Sequence, residues 1–403
     1  MISSQPLEWI DQQHDRACDL VQRWASICTG SGHVEGIERF LQELKTEFAP
    51  LGGSIEHIAL EPVQRGGVGE QIATGGALRI CKRPECARRV FLGIHTDTVY
   101  GPDHPFQQCQ WLDDQTLRGP GVSDAKGGLV VLLLALQAFE QSGAAAPVGW
   151  EVVLNPDEEI GSPASDSLFE EAGHRCGVGF LFEPTLEGGA MVSARKGSAS
   201  YRIEVTGKSA HVGRDPFSGR NAIVQLARLV EPLHAFHHDN PRSFVNIATI
   251  EGGRALNVVP DQAACSVNLR APDRQAVAAF EALLDRQCEA ARQGGDFGVA
   301  VSGGLSTPPK PITEEAKALQ GLVTQCGEQL GLAMTWQETG GVCDGNRLAA
   351  AGLPNVDTMG PRGGRLHSPD EYLITPSLVE RAKLTALALM TWASGEGLDG
   401  SFR

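Results

Sequence analysis

The chain has 403 residues, 41% of them hydrophobic and 21% charged, and a formal net charge of -15 at pH 7. That composition suits a globular protein with room for two domains. No basic stretch offers a footprint for nucleic acid, and no apolar run approaches the about 18 residues of a membrane span.

The N-terminal stretch Met1–Leu20 sets Glu8, Asp11, Asp15 and Arg16 among apolar residues at roughly helical spacing. It has no basic start followed by an apolar core, so no secretory signal is read there. Residues 35–49 read as an amphipathic helix through Ile37, Phe40, Leu41 and Leu44, ending near Pro50 and Gly52. The glycine-rich stretch Arg65–Gly76 reads as a loop. It lacks the flanking strand and helix of a phosphate cradle. An α/β rhythm follows: a strand at Val90–Ile94, an apolar helix at Gly127–Phe139, and strands at Val152–Leu154 and Gly177–Phe182. Strands alternating with helices predict a mostly parallel sheet covered on both faces.

The rhythm changes after Lys196. Ser200–Val205 alternates polar and apolar residues, as a half-exposed strand does. A helix over 219–234, strands over 244–250 and 257–269, a helix over 273–293 and a strand near 297–302 complete an α+β module. Ser306–Pro311, with three prolines, reads as a hinge. From Thr313 a helix runs to about Gly331, a strand lies near Met334, and a last helix covers 376–393. The economical division is one α/β domain over 1–196 and 308–403, interrupted by an inserted module at 197–307. The ten cysteines show no zinc-ribbon pairing and read as free thiols of a reducing cytoplasm.

Chemistry gathers at particular joints of this pattern. His95 and Asp97 follow the apolar strand in Gly93-Ile94-His95-Thr96-Asp97-Thr98, where open α/β sheets bind ligands. Asp97 stands two residues on, placed to orient the imidazole. Asp124 sits in a glycine-rich loop that opens the apolar helix; an aspartate there is also an ordinary helix cap. Glu158 and Glu159 follow the next strand. Adjacent carboxylates repel, and a metal ion is the strongest compensation, although an acidic helix start has the same look. Glu183, before Pro184, ends a further strand, and His367 lies in a late Gly-Gly-Arg-Leu-His-Ser-Pro loop. Acids and histidines thus follow four strands of one sheet. His and carboxylate ligands without thiolate fit catalytic zinc, with Mn or Co as substitutes.

On these motifs the chain resembles the M20 metallopeptidase family. It is most similar to the glutamate carboxypeptidase branch through His95-Thr96-Asp97-Thr98-Val99-Tyr100, Phe182-Glu183-Pro184-Thr185, and Thr339-Gly340-Gly341 with Asp344 following. The likeness extends to acetylornithine deacetylase and succinyl-diaminopimelate desuccinylase. It implies a zinc-exopeptidase-like catalytic domain with an inserted lid and dimerisation domain, working as a homodimer on a small-molecule or short-peptide substrate.

The resemblance also implies roles. His95, Asp124 and Glu183 would hold one Zn²⁺, and Asp124, Glu159 and His367 a second. Asp97 would orient His95, and Glu158 would be the general base. His211, in Gly207-Lys208-Ser209-Ala210-His211-Val212-Gly213, would reach the other subunit's site and stabilise an oxyanion. Arg270, Asn246 and Gly341 would contact substrate, with Arg270 suited to a carboxylate. Relatives often carry Asp where Ala125 stands, joined by a cis peptide, and Asp where Asn268 stands. His234, His237 and His238 cluster at a polar helix end and read as surface residues. The expected activity is a two-zinc carboxypeptidase; an N-acyl amino-acid deacylase is the alternative. A non-catalytic dimeric binding protein would be expected to have lost a ligand or Glu158.

Overall fold

The computed structural model describes residues 4–64 and 71–395. The first half of the glycine-rich loop expected over Arg65–Gly76, and the first three residues of the N-terminal stretch, lie outside them. Among the described residues no helix is long and apolar enough to cross a membrane.

The chain divides into two units. The first runs to Ala194 and resumes over Ile312–Thr339 and from Cys343; the second is Arg195–Pro311 with Gly340–Val342. The first unit is built on a six-stranded sheet. Its order is Ser54–Ala59, Gly76–Lys82, Val148–Asn155, Arg88–His95, Val178–Leu181, Asn355–Val356. The last three pairings are parallel and the first two antiparallel. The mainly parallel sheet is as expected. The antiparallel pair at one side is new: Ser54–Ala59 sets the exposed neighbours Glu56 and His57 between two half-buried isoleucines, which breaks the alternation that would mark a strand. The strand expected at Val152–Leu154 extends over Val148–Asn155 and is buried along its whole length, Glu151 included.

The helix Lys126–Gln141 is apolar nearly all round and packs against Pro376–Ser394, which is equally buried. A second, small sheet orders Gly363–Gly364, Tyr372–Ile374, Thr116–Arg118 and Gln110–Trp111, all antiparallel.

The second unit is a four-stranded antiparallel sheet, ordered Phe244–Gly252, Gln262–Ala271, Gly197–Thr206, Gly298–Thr307. Tyr201, Ile203 and Val205 point into its core with Leu226, Leu229, Leu233, Phe280 and Leu284 from the helices Ala222–His234 and Arg274–Arg292. Arg202 and Glu204 face the other way, as the alternation requires. Asn221 caps the first helix by accepting the Val224 N–H, so that helix starts at Ala222 rather than near 219. The strand expected from 257 begins at Gln262. The strand expected near Met334 is Trp336–Thr339.

Candidate metal centre

The strands Arg88–His95, Val148–Asn155 and Val178–Leu181 run parallel, with His95 level with Asn155, so their carboxyl ends open on one side. His95 ends the first, Glu158 and Glu159 follow the second in a short 3-10 turn, and Glu183 follows the third. Asp124 arrives differently. It follows Thr116–Arg118, a strand of the small sheet, so the expectation of four strand ends of one sheet is corrected to three. His367 comes from the loop of that same small sheet, between Gly363–Gly364 and Tyr372–Ile374.

These residues converge. His95 Nε2 lies 2.9 Å from Asp124 Oδ1 and 3.9 Å from Glu183 Oε2. His367 Nε2 lies 3.3 Å from Asp124 Oδ2 and 3.1 Å from Glu159 Oε2. Asp124 thus turns one oxygen to each imidazole. The Asp124–Ala125 peptide is cis. Among the described residues, His95, Asp124 and Glu159 are the only group of three offering donor atoms all within 4.8 Å of one another.

The electrostatics call for a cation. His95 Nδ1 lies 3.0 Å from the Asp97 carbonyl and 3.3 Å from Asp97 Oδ1, which assigns the ring proton to Nδ1. The Nε2 lone pair then faces a carboxylate oxygen at hydrogen-bond distance, which repels unless a proton or metal ion lies between them. Burial opposes charge on His95, but Glu183, Asp124 and Asp97 outweigh it and hold its pKa well above the usual value. Asp124 and Glu159 push His367 up to about 11. Burial, with Glu183, Asp344 and Glu159 nearby, pushes Glu158 well above the ordinary carboxylate range. Carboxylates outnumber the two histidines, and both imidazoles present Nε2 inward. That donor set fits a divalent ion of the zinc type.

Asp97 does more than face His95. Its Oδ1 accepts the Glu158 N–H at 3.1 Å, and its Oδ2 accepts the Glu159 N–H at 3.2 Å and the Ser31 hydroxyl at 2.6 Å. Asp344, buried at the start of the helix Asp344–Ala350, accepts from Asn155 Nδ2 at 2.9 Å and from the Ser162 hydroxyl, bracketing the turn that carries Glu158. Glu371, fully buried, accepts backbone N–H groups of the Asp124 loop. In the sequence Asp344 stands inside a motif without a task of its own, and neither Glu371 nor Ser31 is singled out. Their partners lie far along the chain, and no local pattern marks them.

The remaining candidates stand in the second unit. His211 is exposed, and its Nδ1 accepts the Gly213 N–H at 3.1 Å. Asn246 lies level with Asn268 on the neighbouring strand. Arg270 Nε donates to Asn268 Oδ1 at 3.2 Å, while its Nη1 is buried without a partner. Burial alone lowers the Arg270 pKa. Asn268 is held in turn by Ser198 Oγ, Ser200 Oγ and the Ala199 carbonyl, each at 3.2 Å. Gly341 belongs to the same unit and accepts from Arg195 Nη1. His234, His237 and His238 meet ring edge to ring face and are not among the described residues' donor groups of the metal-binding kind.

The chain is similar to known proteins along most of its length. Residues 193–295 match the M20-type peptidase dimerisation domain. Carboxypeptidase G2 from Pseudomonas sp. (strain RS-16) is 27% identical over 388 residues, covering 93% of this chain and 89% of the relative. Succinyl-diaminopimelate desuccinylase from Stutzerimonas stutzeri (strain A1501) is 26% identical over 392 residues, covering 90% and 92%. A solved dinuclear metal-binding peptidase of the M20 family from Bacillus subtilis superposes with a TM-score of 0.65 at 15% identity, covering 95% and 99%.

Proposed function

We propose that this chain, an M20-type metal-dependent amide-bond hydrolase, is a two-zinc carboxypeptidase that releases a C-terminal residue of glutamate type. The observation that carries the reading is Asp124, with one oxygen toward His95 and the other toward His367. His95, Asp124 and Glu183 would hold one ion and Asp124, Glu159 and His367 the other, with Co²⁺ or Mn²⁺ able to substitute. When bound, the ions supply Lewis acidity toward the substrate carbonyl and water.

The chain's own residues do the rest. Glu158, left out of the ligand set, takes the proton of the attacking water and returns it to the leaving amine. Asp97 keeps the His95 ring and the Glu158 backbone in place. His211 of the partner subunit donates to the developing oxyanion. Arg270 pairs its free Nη1 with the substrate carboxylate, and Asn246 and Gly341 border that group. The dimerisation domain supports a homodimer formed by the module at 197–307, through strand pairing or helix packing. Ten free thiols suit a reducing compartment, and the cytoplasm is the proposed location.

The second reading, an N-acyl amino-acid deacylase, is favoured by the similar coverage of the desuccinylase. A panel of dipeptides and N-acyl amino acids, with products identified, separates the two. Release of C-terminal glutamate supports the first, and selective deacylation with intact dipeptides overturns it. A metal-free binding protein is the remote third reading. Purified protein that takes up no zinc and hydrolyses none of the panel would favour it.

A further inference from the structure

We infer that Glu371 is the positioning residue that holds the Asp124 loop against the His367 loop, and that it selectively secures the metal position containing His367. The inference rests on the proposed assignment of Asp124 and His367 as ligands. Glu371 is fully buried, four residues after His367, and every hydrogen bond it makes with a backbone group crosses between those loops or tightens one of them, while Tyr100 adds one from the segment after His95. Its Oε1 accepts the N–H of Ser123 at 3.0 Å and of Asp124 at 3.1 Å. Its Oε2 accepts the N–H of Gly121 at 3.3 Å and lies 2.9 Å from the Tyr100 hydroxyl. Its own carbonyl accepts the Gly119 N–H, and its own N–H donates to the Ser368 carbonyl. Tyr100 reaches that same Ser368 carbonyl at 2.8 Å, so its one hydrogen is shared between Ser368 and Glu371.

Four donors converge on one side chain, and a carboxylate with about four lone-pair directions is the group that accepts them all. A buried carboxylate is expensive unless so satisfied. This one stands beside a cluster already rich in negative charge, where it adds repulsion. An apolar side chain there would remove the repulsion but leave the N–H groups of Gly121, Ser123 and Asp124 without this acceptor, so the carboxylate is what fixes the loop's geometry.

The asymmetry follows from what else holds each ligand. His95 ends a strand hydrogen-bonded on both sides, and Glu183 is tied by its N–H to the Asp357 carbonyl and by its carbonyl to the Gly360 N–H. His367 has neither support. Its side chain is 55% exposed, its φ is +58°, and beyond short local hydrogen bonds its loop is tied by Glu371, by Tyr100 and by Arg118, whose Nε donates to the Pro369 carbonyl at 2.8 Å; none of these reaches His367 itself.

The test is calorimetric titration of the chelator-stripped full-length protein with Zn²⁺, comparing wild type with Glu371→Gln, Tyr100→Phe and His367→Ala. Glutamine keeps the side chain's size but has one oxygen for four donors. The expected result for Glu371→Gln is a first equivalent bound within about threefold of wild type and a second weakened at least tenfold, with a smaller shift in the same direction for Tyr100→Phe. Both equivalents bound as in wild type, or both weakened alike, overturns the inference. If Glu371→Gln does not fold, Tyr100→Phe decides by the same criterion. If His367→Ala loses the second equivalent while Glu371→Gln and Tyr100→Phe keep it, this inference fails and the ligand assignment stands. If His367→Ala keeps both equivalents, the ligand assignment itself fails.

Discussion

Asp97 Oδ1 accepts the backbone N–H of Glu158 at 3.1 Å while lying 3.3 Å from the Nδ1 of His95. One oxygen therefore ties the candidate general base to a candidate ligand. Asp97→Asn keeps the shape but replaces one acceptor oxygen by a donor. That donor would face either the Glu158 N–H or the Glu159 N–H and the Ser31 hydroxyl. Zinc affinity is expected to fall about 10–100-fold, as for other groups that orient a liganding histidine. kcat should fall as well, since the Glu158 backbone is released. A variant that loses kcat at unchanged zinc affinity would limit Asp97 to the Glu158 turn.

Glu158 should separate metal binding from turnover. Glu158→Gln is expected to bind zinc with wild-type stoichiometry and to lose about 10²–10⁴ in kcat, the usual contribution of a general base. Metal analysis beside single-turnover kinetics checks it. Wild-type turnover in this variant would remove Glu158 from the mechanism.

The parts of this centre that were legible in sequence are those carried by the main sheet. His95 and Glu183 each end an apolar run, and that contrast needs no knowledge of the fold. Asp124 was legible as a glycine-loop acid but misplaced, because its strand belongs to a different sheet. Glu371 was not legible, since its side chain's partners are backbone N–H groups and the Tyr100 hydroxyl, 247 to 271 residues earlier in the chain. The antiparallel strand at Ser54–Ala59 was missed because its side chains are exposed or half-buried, which leaves little apolar contrast to read.

Stripping the metal should destabilise the first unit, because the carboxylates around His95 and His367 lose the ion that offsets their repulsion. Zinc at about 100 times its dissociation constant adds roughly 2.7 kcal/mol to the folded state. The thermal midpoint is therefore expected to drop on chelation and return with Zn²⁺, and Co²⁺ or Mn²⁺ should also raise it. A midpoint indifferent to all three ions would count against an intact site.

Away from the centre, Glu140 offers a pH test. It pairs with Lys82 and Arg83 and accepts the indole N–H of Trp150 at 2.9 Å. Burial works against its charge, but the hydrogen bonds of Arg83, Lys82 and Trp150 prevail and hold its pKa below the usual glutamate value. A folded pKa below the unfolded one means that stability is present above the unfolded value and is lost as pH falls through the folded value. Glu140→Gln should cost roughly 2 kcal/mol near pH 7, by the scale of charged hydrogen bonds, and the gap to wild type should narrow on acidification. Urea melts at neutral and acid pH measure it; a gap that widens in acid refutes the assignment.

Arg270 carries the prediction that bears on substrate. Its Nε is held by Asn268, its Nη1 has no partner, and the group supporting it is a neutral amide rather than a carboxylate. The guanidinium therefore keeps its full charge for a ligand. Asn268→Asp would supply an internal counter-ion and compete with the substrate carboxylate, whereas Arg270→Ala would remove the clamp altogether. With a carboxylate substrate, Arg270→Ala should raise KM about 10–100-fold, the equivalent of about 1.5–3 kcal/mol for a charge-assisted contact. Asn268→Asp should raise it less, with kcat little changed in both. With the matching carboxamide substrate, neither variant should differ much from wild type. If the carboxamide suffers as much as the carboxylate, Arg270 supports the strand rather than the substrate, and the preference for a C-terminal acid must arise elsewhere.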